Sequence, residues 1–257
     1  MSTVSNFTPG GYRFLPSVFQ YSAGVAASPG YEIRRVRFRR PLSLADGFDF
    51  AEQFIRAAGR PMTAFCACEL RSPAPFTEQG FRAFNESYVE RLRTWGLVDG
   101  NVNPVARSNV CPQINPPSVP SFHAFSFTIE AAHAPPTFVV AGSGEAPEGS
   151  GGSYAQRAVR AGECSADAIR EKARFVMGEM ERRLGLLGFG WPDTTMVQIY
   201  TVFDIHHLLP NEIVRRGAAR SGVTWHYARP PLLGLEYEMD CAGIRFETVP
   251  DLGQTSC

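Results

Sequence analysis

The stretch Phe84-Asn85-Glu86-Ser87-Tyr88, followed by Val105-Ala106-Arg107-Ser108, decides the fold because counterparts of both motifs recur later in the chain. Pro210-Asn211-Glu212-Ile213 and Ala219-Arg220-Ser221 stand in the same order in the second half. The chain is therefore written as two copies of roughly 120 residues, and a length of about 100 to 200 residues is enough for a domain. The sequence predicts two similar domains joined in tandem.

The same order of elements, β-β-α-β-α-β-β, is predicted for each copy. In the second copy Ser165 caps a helix that ends at Gly188, a short helix carries Asn211, and strands surround Trp225 and Glu236. For the first copy we predict strands at 19–24, 33–38, 63–70, 105–110 and 122–129 and helices at 48–58 and 77–92. This pattern indicates an α+β fold, in which each domain is a mixed β-sheet with two helices packed on one face. The predicted domains are residues 1–130 and 137–257.

Composition narrows the class of protein. The 257 residues are 44% hydrophobic and carry a formal net charge of zero, so a broad cationic surface for nucleic acid is not expected. No apolar run reaches the roughly 18 residues of a membrane span, and the N-terminus lacks a signal-peptide pattern. The six cysteines show no zinc spacing and are expected to be reduced thiols of a cytoplasmic protein, with Cys66 and Cys68 buried on one face of a strand. The basic run 34–40 is predicted to be an exposed strand edge or outer face.

The order of these motifs resembles the Rid family of reactive-intermediate deaminases, also called YjgF-type proteins, once in each half. The resemblance is carried mainly by 84–92 with 105–110, and by 188–204 with 235–241. It implies a chorismate-mutase-like fold for each domain, a homotrimer, and substrate sites in the clefts between adjacent domains. It also implies an arginine that binds a substrate carboxylate and a glutamate that holds the hydrolytic water.

Residue by residue, the resemblance assigns the carboxylate-binding role to Arg107 and, with a shifted alignment, to Arg220. It places Asn85 in the cleft. The first copy has an apolar run around Phe125 where the family glutamate belongs, whereas the second copy retains that acid at Glu236 in Leu235-Glu236-Tyr237-Glu238. The resemblance therefore implies Glu236 as the catalytic acid.

The glycine-flanked segment that begins the second copy is a further candidate part of the site. Ser143 and Gly144 lie where the resemblance brings a strand end close to substrate, and glycines allow backbone N–H groups to approach an anion. Glu145 follows directly and is the second candidate acid.

A narrower resemblance, to the 2-aminomuconate deaminases of nitroaromatic degradation, is carried by 141–149 and by Thr224-Trp225-His226-Tyr227. It implies hydrolysis of a 2-amino dicarboxylate, such as 2-aminomuconate or 2-amino-5-chloromuconate, to a 2-oxo acid and ammonia. Two alternatives remain open, which are a chorismatase-like hydrolase and a ligand-binding or chaperone-like protein without enzymatic activity.

Neither metal nor organic cofactor is expected. The histidines and cysteines lack ligand spacing, and water can attack an imine carbon without a Lewis acid. The sole lysine, Lys172, is predicted to lie on the polar face of a helix, which argues against Schiff-base chemistry.

Overall fold

The computed structural model describes residues 3–147 and 152–251. Its strands are β1 Ser5–Phe7, β2 Tyr12–Leu15, β3 Gly24–Ala27, β4 Tyr31–Ser43, β5 Phe65–Arg71, β6 Ala106–Pro112, β7 Ser121–Glu130, β8 Phe138–Gly144, β9 Met196–Tyr200, β10 Thr224–His226, β11 Ala228–Arg229, β12 Glu238–Gly243 and β13 Glu247–Thr248. Its α-helices are α1 Leu44–Ala57, α2 Glu78–Thr94, α3 Tyr154–Arg157 and α4 Ala166–Leu187. A π-helix, Leu209–Val214, follows β9.

The first sheet has the strand order β11-β6-β5-β7-β4-β13, and helices α1 and α2 pack against it. It is mixed, because β5 is parallel to β6 and antiparallel to β7. Helix α1 begins where the Ser43 side chain accepts a hydrogen bond from the Asp46 N–H, and its buried residues recur every three or four positions. One of them, Phe48, meets Phe122 of β7 edge-on with ring centres 4.9 Å apart.

The second sheet has the order β1-β2-β3-β8-β12-β9-β10, and α4 packs against it. Ser165 caps α4, and Gly188 ends it with φ 84°, a left-handed conformation that glycine adopts without strain. The π-helix carries Asn211, so the short helix predicted there is present. Two mixed sheets with helices packed against them confirm the predicted α+β fold.

Strands are exchanged between the two halves of the chain. β3, from the N-terminal segment, pairs with β8, whereas β11 and β13, from the second half, pair with β6 and β4. Each sheet therefore contains strands from both halves. The division into residues 1–130 and 137–257 stays a prediction. Strands on each side of this division form hydrogen bonds with strands on the other side.

Two strand predictions differ from the structure at their N-terminal ends. The predicted strand at 19–24 is wrong for most of its length, since β3 begins only at Gly24. The N–H of Ser22 donates to the Val105 carbonyl and that of Ala23 to the Leu15 carbonyl, so this segment bonds to two separate parts of the chain. The strand predicted around Glu236 begins two residues later, as β12.

The basic run 34–40 is only partly exposed. Arg39 and Arg40 face solvent as predicted, but Arg35 is buried, and that part of the prediction is wrong. Strand β13 pairs with β4 at Arg35 and covers the edge there, and its Glu247 accepts a hydrogen bond from the guanidinium. Arg35 also donates two hydrogen bonds, of 2.7 and 2.8 Å, to Glu69 of β5. Gln198 of the second sheet lies 3.4 Å from Glu69, so this ion pair is buried between the two sheets.

Arg35→Met should destabilise the protein by about 3 to 5 kcal/mol at pH 7, because it leaves the Glu69 carboxylate buried without its closest cationic partner. Burial raises the pKa of Glu69, but Arg35 outweighs burial and holds this pKa well below its usual range. In the unmodified protein the pair therefore adds stability that is present above the unfolded-state pKa and is lost as the pH falls. Without Arg35, burial is opposed only by the weaker influence of His123 and Arg71, so the carboxyl binds a proton more readily and the deficit should be smaller at pH 4 than at pH 7.

Urea denaturation at both pH values measures this difference. Arg56→Met is the matched control, since Arg56 forms an exposed pair with Glu52 at 3.0 Å and should cost about 1 kcal/mol or less. Equal losses in the two variants would contradict a buried role for Arg35.

Candidate functional site

A pocket lies where β6 of the first sheet meets β8 and β12 of the second. Its polar walls come from Arg107, Asn109, Ser143 and Glu238. Its apolar walls come from α2, from α3 and from the loop before β12, with side chains of Phe81, Tyr154, Leu232 and Leu235. Residues of both halves of the chain therefore line one pocket.

Gly142 allows the two sheets to approach each other at this pocket. A Cβ atom at this position would lie 3.3 Å from the Cα of Ser108 on β6 and would overlap the Glu238 carboxylate. The absence of a side chain thus places β8 beside β6 and leaves room for the carboxylate between them.

Arg107 is the only cationic side chain that lines the pocket among the described residues, and it is 3% exposed. Its guanidinium lies among four aromatic rings, whose centres are 4.8 Å (Tyr88), 5.4 Å (Tyr21), 5.6 Å (Phe84) and 5.8 Å (Phe81) away. Within residues 3–147 and 152–251 no carboxylate forms a salt bridge with it, and its Nη1 has no hydrogen-bond partner. A buried donor without a partner is costly, so this geometry favours an anionic ligand.

Asn109 presents a second donor two residues further along β6. Its Oδ1 accepts a hydrogen bond of 2.9 Å from Ser72 Oγ, while its Nδ2 is buried and has no partner among the described residues. Alternation along a strand places Arg107 and Asn109 on the same face. Asn109 is not among the residues predicted from the sequence, although its spacing of two from Arg107 is the signal that identifies it.

Glu238 is the acid of the pocket. It is the first residue of β12, pairs in register with Gly144 and Tyr200, and is 5% exposed. Burial raises the pKa of Glu238 well above its usual range, and repulsion from Asp240 and Glu145 adds to this effect. Arg107 and Arg183 act in the opposite direction. Glu238 therefore keeps a proton at pH values where an exposed glutamate has lost it.

Glu236, the acid favoured by the sequence, does not line this pocket. It precedes β12 and its carboxylate pairs with the Arg229 guanidinium. Alternation along a strand would have put Glu236 and Glu238 on one face, so the sequence alone could not separate them. The structure separates them because only Glu238 lies within the strand.

The glycine-flanked segment divides into two parts. Ser143 and Gly144 line the pocket as predicted. Glu145 does not line it, is 0% exposed, and lies 3.1 Å from the Nζ of Lys172. Lys172 is itself 0% exposed, so the prediction of a polar helix face was wrong for this residue. Residues 148 and 149 of the stretch 141–149, which carries the narrower resemblance, lie outside the described residues.

Asn85 and Arg220 lie in different surroundings. Asn85 is buried on α2 and lines a cavity of about 300 Å³ that shares Phe81, Tyr154 and Leu232 with the pocket. Its Oδ1 has no hydrogen-bond partner in the described part of the chain. Arg220 is exposed after the π-helix and lines neither cavity. The structure thus brings together Arg107, Ser143 and Gly144, places Asn85 in the adjoining cavity, and leaves Arg220, Glu236 and Glu145 outside.

Two features are absent from the described residues. None of their histidine, cysteine, aspartate and glutamate side chains forms a group of three or more suited to a metal ion. None of their helices is long and apolar enough to cross a membrane.

Known proteins resemble this chain in sequence and in fold. A 2-amino-5-chloromuconate deaminase of Comamonas testosteroni is 53% identical over 245 residues, which are 95% of this chain and 97% of the relative. Among solved structures, a chorismatase with 12% identity aligns with a TM-score of 0.53 over 86% of this chain and 77% of its own, which shows the fold alone. The YjgF protein of E. coli, 13% identical, aligns over 42% of this chain and 80% of its own with a TM-score of 0.31.

The family model described as 2-aminomuconate deaminase CnbZ matches residues 4–248, which is nearly the whole chain. Together with the identity to the Comamonas enzyme along almost its full length, this match shows that the chain belongs to the 2-aminomuconate deaminase CnbZ family.

Proposed function

We propose that this protein hydrolyses the C–N bond of a 2-amino dicarboxylate, such as 2-aminomuconate or 2-amino-5-chloromuconate, and releases the 2-oxo acid and ammonia. The observation that carries the proposal is the pairing of unpartnered donors on Arg107 and Asn109 with a proton-bearing Glu238 in one pocket. The donors suit a carboxylate, and the acid suits proton transfer to the adjacent carbon chain.

The reaction needs one group that first gives and then takes a proton. The substrate is an enamine, and protonation of its carbon chain by Glu238 converts C2 into an iminium carbon. Water adds to C2 while the Glu238 carboxylate takes one of its protons. In the resulting carbinolamine the hydroxyl proton moves to nitrogen, the C2–N bond breaks, and ammonia leaves as C2 becomes a carbonyl. One water is consumed, and Glu238 regains its proton.

The orientation of the substrate follows from the two cavities. The carboxylate next to C2 lies at Arg107 and Asn109, which brings C2 towards Glu238. The rest of the carbon chain extends past the shared Phe81 and Leu232 walls into the cavity of about 300 Å³ lined by Asn85. Arg107 also withdraws electron density from C2 through the carboxylate, which favours attack by water.

Ammonia release from 2-aminomuconate and from its 5-chloro derivative tests the function directly. We expect turnover of at least one of the two without added metal or cofactor. Absence of ammonia with both, or release of pyruvate from chorismate instead, would contradict the proposal.

Removal of the carboxylate-binding group should weaken substrate binding. For Arg107→Ala we expect kcat/KM to fall about 10- to 100-fold, because a hydrogen bond to a charged group contributes about 1.5 to 3 kcal/mol. Arg107→Lys should not restore it, since an ammonium lacks the planar fork that fits between the rings and the carboxylate. Titration calorimetry with muconate, which has no amino group to lose, measures binding apart from turnover. Arg39→Ala, at an exposed position of β4, is the control, and equal affinity in both alanine variants would exclude Arg107 from the site.

Glu238→Gln keeps the shape of the side chain but removes the transferable proton, so kcat should fall by about 10² to 10⁴ with little change in KM. Because burial raises the pKa of Glu238 and the protonated form is the active one, kcat/KM of the unmodified protein should fall as the pH rises through that pKa. This alkaline decline should be absent in the variant. Glu236→Gln distinguishes the two acids, since a loss of kcat there and not at Glu238 would support the assignment made from the sequence.

Assembly and cellular setting belong to the same proposal. We expect a homotrimer, as the Rid resemblance implies, and light scattering should then give three times the 28.2 kDa of one chain. A mass of one chain at micromolar concentration would contradict it.

The described cysteines are free thiols, which supports a reducing compartment such as the cytoplasm. The proposed substrates fit nitroaromatic catabolism.

A further inference from the structure

The backbone just before the catalytic strand is held by a buried carboxylate. Glu145 Oε1 accepts a hydrogen bond of 2.6 Å from the Glu236 N–H, and its Oε2 accepts one of 3.1 Å from the Tyr237 N–H. These are the two residues that precede Glu238. One side chain therefore fixes the point at which the chain enters β12.

That carboxylate is balanced by the only lysine of the chain. Lys172 reaches Glu145 Oε1 from α4 at 3.1 Å, and neither side chain is exposed. The Glu145 carbonyl accepts a further hydrogen bond, of 2.9 Å, from the Val159 N–H. The pair thus connects α4, the end of β8 and the start of β12.

Stability alone does not account for this arrangement. An apolar pair of the same volume is often as stable as a buried ion pair or more so, because it avoids the desolvation of two charges. An apolar side chain, however, cannot accept hydrogen bonds from the backbone beside Glu238. What the charge adds is a defined position for that backbone.

We propose that the Lys172–Glu145 pair is a positioning device that holds the start of β12 so that Glu238 points into the pocket towards Arg107. The proposal rests on the proposed function, because it gives Glu238 the catalytic role. Neither Lys172 nor Glu145 touches the substrate in this arrangement.

The pair also sets the electrostatic surroundings of Glu238. Four charged groups face Glu238, namely Asp240 on the same strand, Glu145 at the end of β8, Arg107 on β6 and Arg183 on α4. Glu145 is one of the two that raise the pKa of Glu238, so its removal lowers that pKa. Loss of the pair therefore shifts the pH dependence of the site, which a purely structural role would leave unchanged.

The double variant Glu145→Gln/Lys172→Met tests the proposal, because it leaves no unpaired buried charge and should keep the fold. We expect a melting temperature close to that of the unmodified protein, a kcat about 10- to 100-fold lower with little change in KM, and an alkaline decline of kcat/KM at lower pH. The control Asp167→Asn/Arg170→Met removes an exposed ion pair of 2.6 Å on the same helix and should change none of these values. An unchanged kcat and pH profile in the folded double variant would overturn the proposal.

A second measurement separates this inference from the proposed function. The affinity for muconate, measured by calorimetry across pH, needs no turnover and should weaken when Glu238 ionises beside the bound anion. In Glu145→Gln/Lys172→Met this weakening should occur at lower pH than in the unmodified protein. If no aminomuconate is deaminated, only the proposed function is contradicted. A pH profile of muconate affinity that does not shift in the double variant would then overturn the positioning role.

Discussion

Charged side chains that are buried between the two sheets, or between a sheet and its helix, have to be neutralised or given hydrogen bonds. Most of them are. Arg35 and Glu69 pair with two hydrogen bonds, Lys172 pairs with Glu145, and Asp240 accepts hydrogen bonds from Ser108, Gln198 and Tyr200. The pocket beside β6 differs, since Arg107 has no carboxylate partner there within the described residues and Glu238 is kept protonated by burial. In the proposed function the chemistry is located where the neutralisation is incomplete, and an anionic substrate would complete it.

The exchange of strands between the two halves explains why this pocket forms within one chain. β3 extends the second sheet and β11 and β13 extend the first, so each half contributes backbone to the sheet of the other. The halves are therefore held in one relative position by hydrogen bonds as well as by packing. Gly142 then sets how closely β8 and β6 approach each other, and this spacing puts Glu238 and Arg107 in the same pocket.

Much of this arrangement could be predicted from local patterns. The caps at Ser165 and Gly188, the helical periodicity of α4 and the Ala-Arg-Ser motif at Arg107 are local, and the structure bears out the elements that they predicted. Burial of Arg35 and Lys172 depends on partners far away in the sequence, Glu247 and Glu145, and their own neighbours carry no sign of those contacts.

The choice between Glu236 and Glu238 depends on where a strand begins, and sequence places such a boundary only to within a few residues. Only two residues separate Glu238, the acid that lines the pocket, from Glu236, the acid that pairs with Arg229. Hydrogen bonds from the backbone to Glu145 act at this boundary, and the sequence around Glu236 does not reveal them because their acceptor lies about ninety residues earlier.

Burial of the only lysine also affects how the protein responds to chemical labelling. Reagents that acylate amines find no lysine amine at the surface of the folded protein, so apart from the chain's α-amino group they react only with Lys172, once α4 separates from β8. The rate of that acylation measures how often the second sheet opens. This native side chain serves as an internal probe of opening at the place where the start of β12 is anchored.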